Sequence, residues 1–98
     1  MAIYSIAYNL NFPQEYNAFY ECLESFPHIH VMDSLWLIQT DSESGELRDR
    51  LLPCINKGDA LFISRMNQDW AGAGTHCGDW LKATDRLWHK PAQAYSAK

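Results

Sequence analysis

Residues 2–10 read AIYSIAYNL, and this run decides the fold. It is a short run rich in Ile, Tyr and Ala, with a polar Asn9 near its end. It reads as a buried first strand, with Asn9 where the strand hands over to the first helix. Immediately beyond, Asn11, Phe12 and Pro13 stop the sheet. Asn11 is placed to cap a helix, with Pro13 in its first turn and Glu15 near the positive helix end. Tyr16, Phe19, Tyr20, Leu23 and Phe26 recur at helical spacing, which predicts an amphipathic helix over 13–26, ended by Pro27.

The next segment, 28–32 (HIHVM), alternates and predicts a second strand. Asp33 and Ser34 form a tight-turn signal, and 35–40 (LWLIQT) predicts a strongly apolar third strand, the two making a hairpin. The polar run 41–46 (DSESGE) offers several helix caps. Leu47, Leu51, Leu52 and Ile55 then trace a helical stripe with Arg48, Asp49 and Arg50 outside it. Pro53 closes this helix or kinks its last turn. Asn56 to Asp59 form a turn with Gly58 as C-cap, and 60–66 (ALFISRM) predicts a fourth strand.

The order is β-α-β-β-α-β. That is an α+β, ferredoxin-like arrangement, an antiparallel sheet with two helices on one face. A glycine-bearing loop over 67–78, a short helix from Asp79 to about Trp88 and a mobile tail over 92–98 complete the chain. The whole is read as a single domain over 1–98, its core at about 2–67 and an extension at 68–98.

Composition narrows the function. Apolar residues make up 47% and charged residues 20%, as in an ordinary soluble domain. A net charge of −4 argues against a large basic surface wrapped around nucleic acid, though it leaves room for a local site. Four Trp, five Tyr and four Phe supply contact area for an interface. Cys22, Cys54 and Cys77 have neither disulfide nor zinc spacing and read as reduced thiols, Cys22 and Cys54 near the core. No basic n-region opens the chain, and no stretch reaches the roughly 18–20 apolar residues of a membrane span, so the expected location is cytoplasmic.

The strand IYSIAYNL, the segment HVMDSLWLIQT, the helix containing LRDRLL, and DALFISRM before WAG together resemble the small SinR-like bacterial proteins. These are similar in fold to the CRISPR-associated ferredoxin-like nuclease subunits and to virulence-associated protein D. The resemblance covers residues 2 to 73. It implies a homodimer and a setting in bacterial defence or mobile elements. In the members with nuclease activity it implies an acid at the end of the first strand, one from each subunit. That pair holds a divalent metal, Mg²⁺ or Mn²⁺, which polarises a phosphate and activates water. This chain has Asn9 at that position. An amide can coordinate a metal through its oxygen but adds no negative charge and no general base.

The candidate residues carry competing readings. Asn9 is either a strand-end residue that satisfies a backbone group or a site residue at a dimer axis, weakly able to bind metal. Asp33 is turn chemistry beside Ser34, or an acid that replaces the missing one. His28 and His30 share a strand face. With Asp33 they form a partial metal site, or they are ordinary histidines on the exposed side of a hairpin. Arg48 and Arg50 flank Asp49 on a solvated helix face. Arg65 needs a partner or solvent and, with Lys57, is a candidate phosphate contact. Trp70 anchors the WAGAG loop or helps it cover a partner subunit and an open sheet edge. Tyr8 belongs to an aromatic sheet surface able to take a ligand.

Three functions fit these residues. The first is a non-catalytic or weakly catalytic homodimeric module for nucleic-acid binding or assembly, with RNA, DNA or another protein of a defence system as partner. The second is a metal-dependent endoribonuclease or endonuclease. The third is a small-ligand binding protein.

Overall fold

The computed structural model describes residues 2–12 and 16–83. Strand β1 (Ala2–Asn9) is followed by helix α1 (Asn17–Glu24), strands β2 (His28–Met32) and β3 (Leu35–Thr40), and helix α2 (Ser44–Leu51). A 3₁₀ turn at Leu52–Cys54, strand β4 (Ala60–Arg65) and a short helix α3 (Cys77–Lys82) complete the set. The four strands form one antiparallel sheet in the order β2-β3-β1-β4. This is the α+β arrangement expected from the element order, with β1 at the centre.

β1 pairs from Ala2 opposite Thr40 to Ala7 opposite Leu35 on one side. On the other it runs from Tyr4 opposite Arg65 to Asn9 opposite Ala60. Its even-numbered residues face the helices and its odd-numbered residues face the other way. Ala2, Tyr4, Ile6 and Tyr8 pack with Phe19 and Leu23 of α1, Trp36 and Ile38 of β3, and Leu47 and Leu51 of α2. Leu61 and Ile63 of β4 close this core at its edge. Phe19, Leu23, Ile6, Ile38, Leu47 and Leu51 are essentially shielded from solvent. Each such side chain contributes about 1.5–3 kcal/mol through removal of apolar surface from water.

The opposite face is covered by a segment far along the chain. Ile3 and Leu37 are buried there beneath Cys77 and Leu81 of α3, with Ile29, Val31, Met66, Trp70 and Trp80 packed around them. The sheet is therefore sandwiched between α1 and α2 on one side and residues 66–82 on the other.

Several sequence expectations are corrected at the element ends. Asn11 does not cap α1. Its backbone N–H donates to Asp59 Oδ1 at 2.8 Å and its side-chain amide donates to the Gly58 carbonyl at 2.9 Å. The helix begins instead at Asn17, with Tyr16 in the cap position. The expected roles of Pro13 and Glu15 lie outside the described residues. Glu43 heads α2 in a reciprocal capping box with Glu46, and Pro53 ends that helix in the 3₁₀ turn. β4 stops at Arg65, although Met66 N–H still donates to Ile3 at 2.8 Å. α3 starts two residues before Asp79, and its expected run beyond Ala83, like the tail, lies outside the described residues. Cys22 and Cys54 are half-buried against the core, and the three cysteines are free.

Candidate functional site

Two structural facts shape the second sheet face. Among the described residues, 66–82 reach over β2, β3 and β1, and none covers the β4 side. Phe62, opposite Ala7 on this face, is 69% exposed, and Met32 is 53% exposed. Between these lie Ala7, Leu35, Ala60 and Asn9, so a continuous, mainly apolar strip crosses the end of the sheet. Among the described residues β4 is also an edge strand, paired only with β1. Toward the middle of the face Ser5 and Ser64 sit opposite each other, their hydroxyls 2.8 Å apart.

Beside this strip the face deepens into a cleft of about 430 Å³ between the sheet and the 70–77 segment. Its floor is Ser5, Leu35 and Leu37, and its far wall is Trp70, Thr75 and Leu81. A β-bulge shapes the near lip. His30 pairs with Trp36 and Met32 with Leu35, leaving Val31 as an extra residue, and both Val31 and Met32 border the cleft. The wall is held by close packing. A Cβ on Gly72 would lie 2.9 Å from Thr75 Oγ1 and would push that hydroxyl aside, and one on Gly78 would lie in ordinary contact, 3.8 Å from the Trp70 ring.

The sequence candidates separate in space. Asn9 is exposed at the end of β1, on the bare strip beside Phe62. Asp33 is exposed in the β2–β3 turn at the same end of the sheet, and both border Ala7. Tyr8 points the other way. It is 8% exposed, its hydroxyl donates to the Asp33 carbonyl at 2.9 Å, and it accepts from Trp36 Nε1 at 2.9 Å. Burial pushes its pKa up to about 12, against the opposing effect of the Trp36 hydrogen bond. Tyr8 thus serves the core and the turn rather than offering a hydroxyl to a ligand.

His28 and His30 do share a face, the helix side of the sheet, where His28 is half-buried and His30 is exposed. His30 stacks on Trp36 with ring centroids 4.6 Å apart, and His28 lies 5.3 Å from the same ring. His28 Nδ1 is also 2.8 Å from the Phe26 carbonyl. Among the described residues no group of three His, Cys, Asp or Glu side chains is placed to hold a metal.

The cations are dispersed. Arg48 pairs with Asp49 at 3.0 Å, both well exposed, and Arg50 lies over the Phe26 ring at 4.9 Å. Lys57 is exposed in the turn before β4, and Arg65 is exposed at its far end. Glu43 and Glu46 act on Tyr4 together with Arg65, so that cation sits among acids. Trp70 is half-buried and lines the cleft.

Sequence reasoning missed Asp59. Its carboxylate accepts from the backbone N–H groups of Asn11 and Asn56, each at 2.8 Å, and from Tyr16 Oη at 3.0 Å. Partial desolvation pushes its pKa up, but these hydrogen bonds outweigh it and hold the carboxyl below its ordinary 3.8. Asp59 is a clasp between the β1–α1 connection and the start of β4. The sequence signal for it was the Asn-Lys-Gly-Asp turn alone.

No family model matches the chain, and no curated protein or solved structure gives a significant match. Among the described residues no helix is long and apolar enough to cross a membrane.

Proposed function

We propose that the protein is a non-catalytic or weakly catalytic homodimeric assembly module, a relative of the SinR-like proteins, that pairs through β4 and the bare strip around Phe62. The observation that carries this reading is an apolar, 69% exposed Phe62 on β4, whose outer edge pairs with no other strand among the described residues. An open edge with an aromatic on its face is a template for another strand, and natural sheets cover such edges. Antiparallel pairing of β4 with its copy about a two-fold axis satisfies the free backbone groups of both. It also brings Arg65 of each copy toward the partner's turn before β4, the end that carries Lys57.

The assembly half of the reading rests on this geometry, and the nucleic-acid half rests on the resemblance and on those two cations. With a neutral amide at Asn9, the strand-end position supplies a dimer axis with polar contacts rather than charge for a hard cation. Sedimentation tests the proposal. The chain runs as a dimer at micromolar concentration, Phe62→Lys makes it a monomer that keeps the native circular dichroism spectrum, and a monomeric native chain sinks the reading. In the dimer, binding to labelled RNA or DNA falls steeply with salt, and Lys57→Ala with Arg65→Ala flattens that slope. Cleavage in Mg²⁺ or Mn²⁺ that Asn9→Ala and Asp33→Ala abolish would instead make it a nuclease.

A further inference from the structure

The cleft on the second sheet face is independent of the dimer reading. We propose that it binds a neutral, mainly apolar, aromatic small molecule. Its volume of about 430 Å³ is that of a small-ligand site. Val31, Leu35, Leu37, Met66, Trp70 and Leu81 give it apolar walls, and no charged side chain lines it among the described residues. A charged ligand would lose its hydration there without a partner in return, so the lining selects a neutral one. Trp70 supplies an aromatic surface against which another ring packs well.

The few polar atoms are placed to orient such a guest. Ser5 Oγ lies at the floor and shares a hydrogen bond with Ser64, which leaves it acceptor capacity for a ligand donor. Thr75 Oγ1 lies on the wall, 3.5 Å from Cys77 Sγ. Trp70 packs against the buried cluster of Ile3, Leu37, Cys77 and Leu81, which holds that part of the wall in place. The near lip departs from regular pairing at the β2 bulge, which puts two consecutive side chains, Val31 and Met32, on the cleft. Bulges recur where a side chain is re-aimed beside a site. A hydrophobic core alone gives no reason for an open, uncharged hollow of this size beside a rigid wall.

The test uses the full chain and two fluorescent probes that share one ring skeleton, neutral N-phenyl-naphthylamine and its sulfonated analogue anilinonaphthalene sulfonate. The neutral probe binds at a single saturable site in the micromolar range, at least about tenfold more tightly than the sulfonate. Trp70→Ala weakens it about tenfold. Ala73→Trp, at an exposed position on the cleft rim, abolishes binding while the unfolding midpoint stays unchanged. Phe62→Ser, on the strip outside the cleft, leaves binding intact whether or not it alters the oligomeric state, which separates this result from the dimer reading. Equal affinity for both probes, no saturable binding, or binding that survives Ala73→Trp and is lost with Phe62→Ser overturns the proposal.

Discussion

The two faces of the sheet are built from the same strands but solve different problems. Against α1 and α2, alternate residues of β1, β3 and β4 meet two helical stripes, and side chains such as Phe19 and Ile6 are fully enclosed. On the opposite face, Ile3 and Leu37 are sealed in beneath residues 66–82, and Gln39 beside Ile3 is buried as well. The rest of that face grades through the cleft to Ser5 and Ser64 and then to the bare Phe62 strip. One face holds the fold together and the other leaves surface for something else. Amphipathic helices lay a continuous apolar stripe along a sheet face. A glycine-bearing segment covers it in patches.

Three measurements would break or sharpen this contrast. The largest effect is expected from truncation on the helix side. Phe19, 5.0 Å from the Tyr8 ring and 5.6 Å from Tyr20 in edge-on geometry, leaves a sealed void on Phe19→Ala. The loss is about 3–5 kcal/mol in urea unfolding. Leu81→Ala on the other face costs about 2–3 kcal/mol, the lower end of the range, because the hole opens into the cleft rather than being enclosed. Equal losses would mean that the two faces contribute alike.

The second test concerns the Asp59 clasp. A carboxylate with a depressed folded-state pKa adds stability above its unfolded value, and this is lost as pH falls through the folded one. Native stability should therefore decline below pH 3.8, as the clasp protonates. Asp59→Asn should lower stability at neutral pH and flatten that acid decline in thermal scans. An unchanged acid limb would show that the clasp does not couple to folding.

The smallest effect is expected at Phe62. Phe62→Ser should leave unfolding within about 0.5 kcal/mol of wild type under conditions where the chain is monomeric, since an exposed side chain gives up little on removal. A large loss would place Phe62 in the core.

The helix side was legible in the sequence because its signals are local and periodic. The stripe at Phe19, Tyr20, Leu23 and Phe26 named its own buried face, and the apolar run around Ile3 and Ile6 announced a buried strand. The second face was not legible. Its cover, NQDWAGAGTHCGDW, has no periodicity, and its apolar residues Met66, Trp70, Cys77 and Leu81 are spread through small and polar ones. Which side of the sheet His28 and His30 took depended on the register of β2 against Trp36, and so on a bulge that leaves no mark in HIHVM. Asn9 and Asp33 were found by position alone. That was enough to bring them to one end of the sheet and not enough to give them a metal.

The central place of β1 bears on how the chain reaches this structure. Its two hydrogen-bonding partners are Leu35–Thr40 and Ala60–Arg65, so the strand that forms the middle of the sheet waits longest for its neighbours. Sheets closed by distant pairings fold slowly, since chain ends must be brought together before contacts repay the entropy. Until β4 is available, the uncharged segment AIYSIAYN has an open edge and exposed Ile and Tyr side chains. During synthesis this stretch is the part of the molecule most prone to pair with the wrong chain.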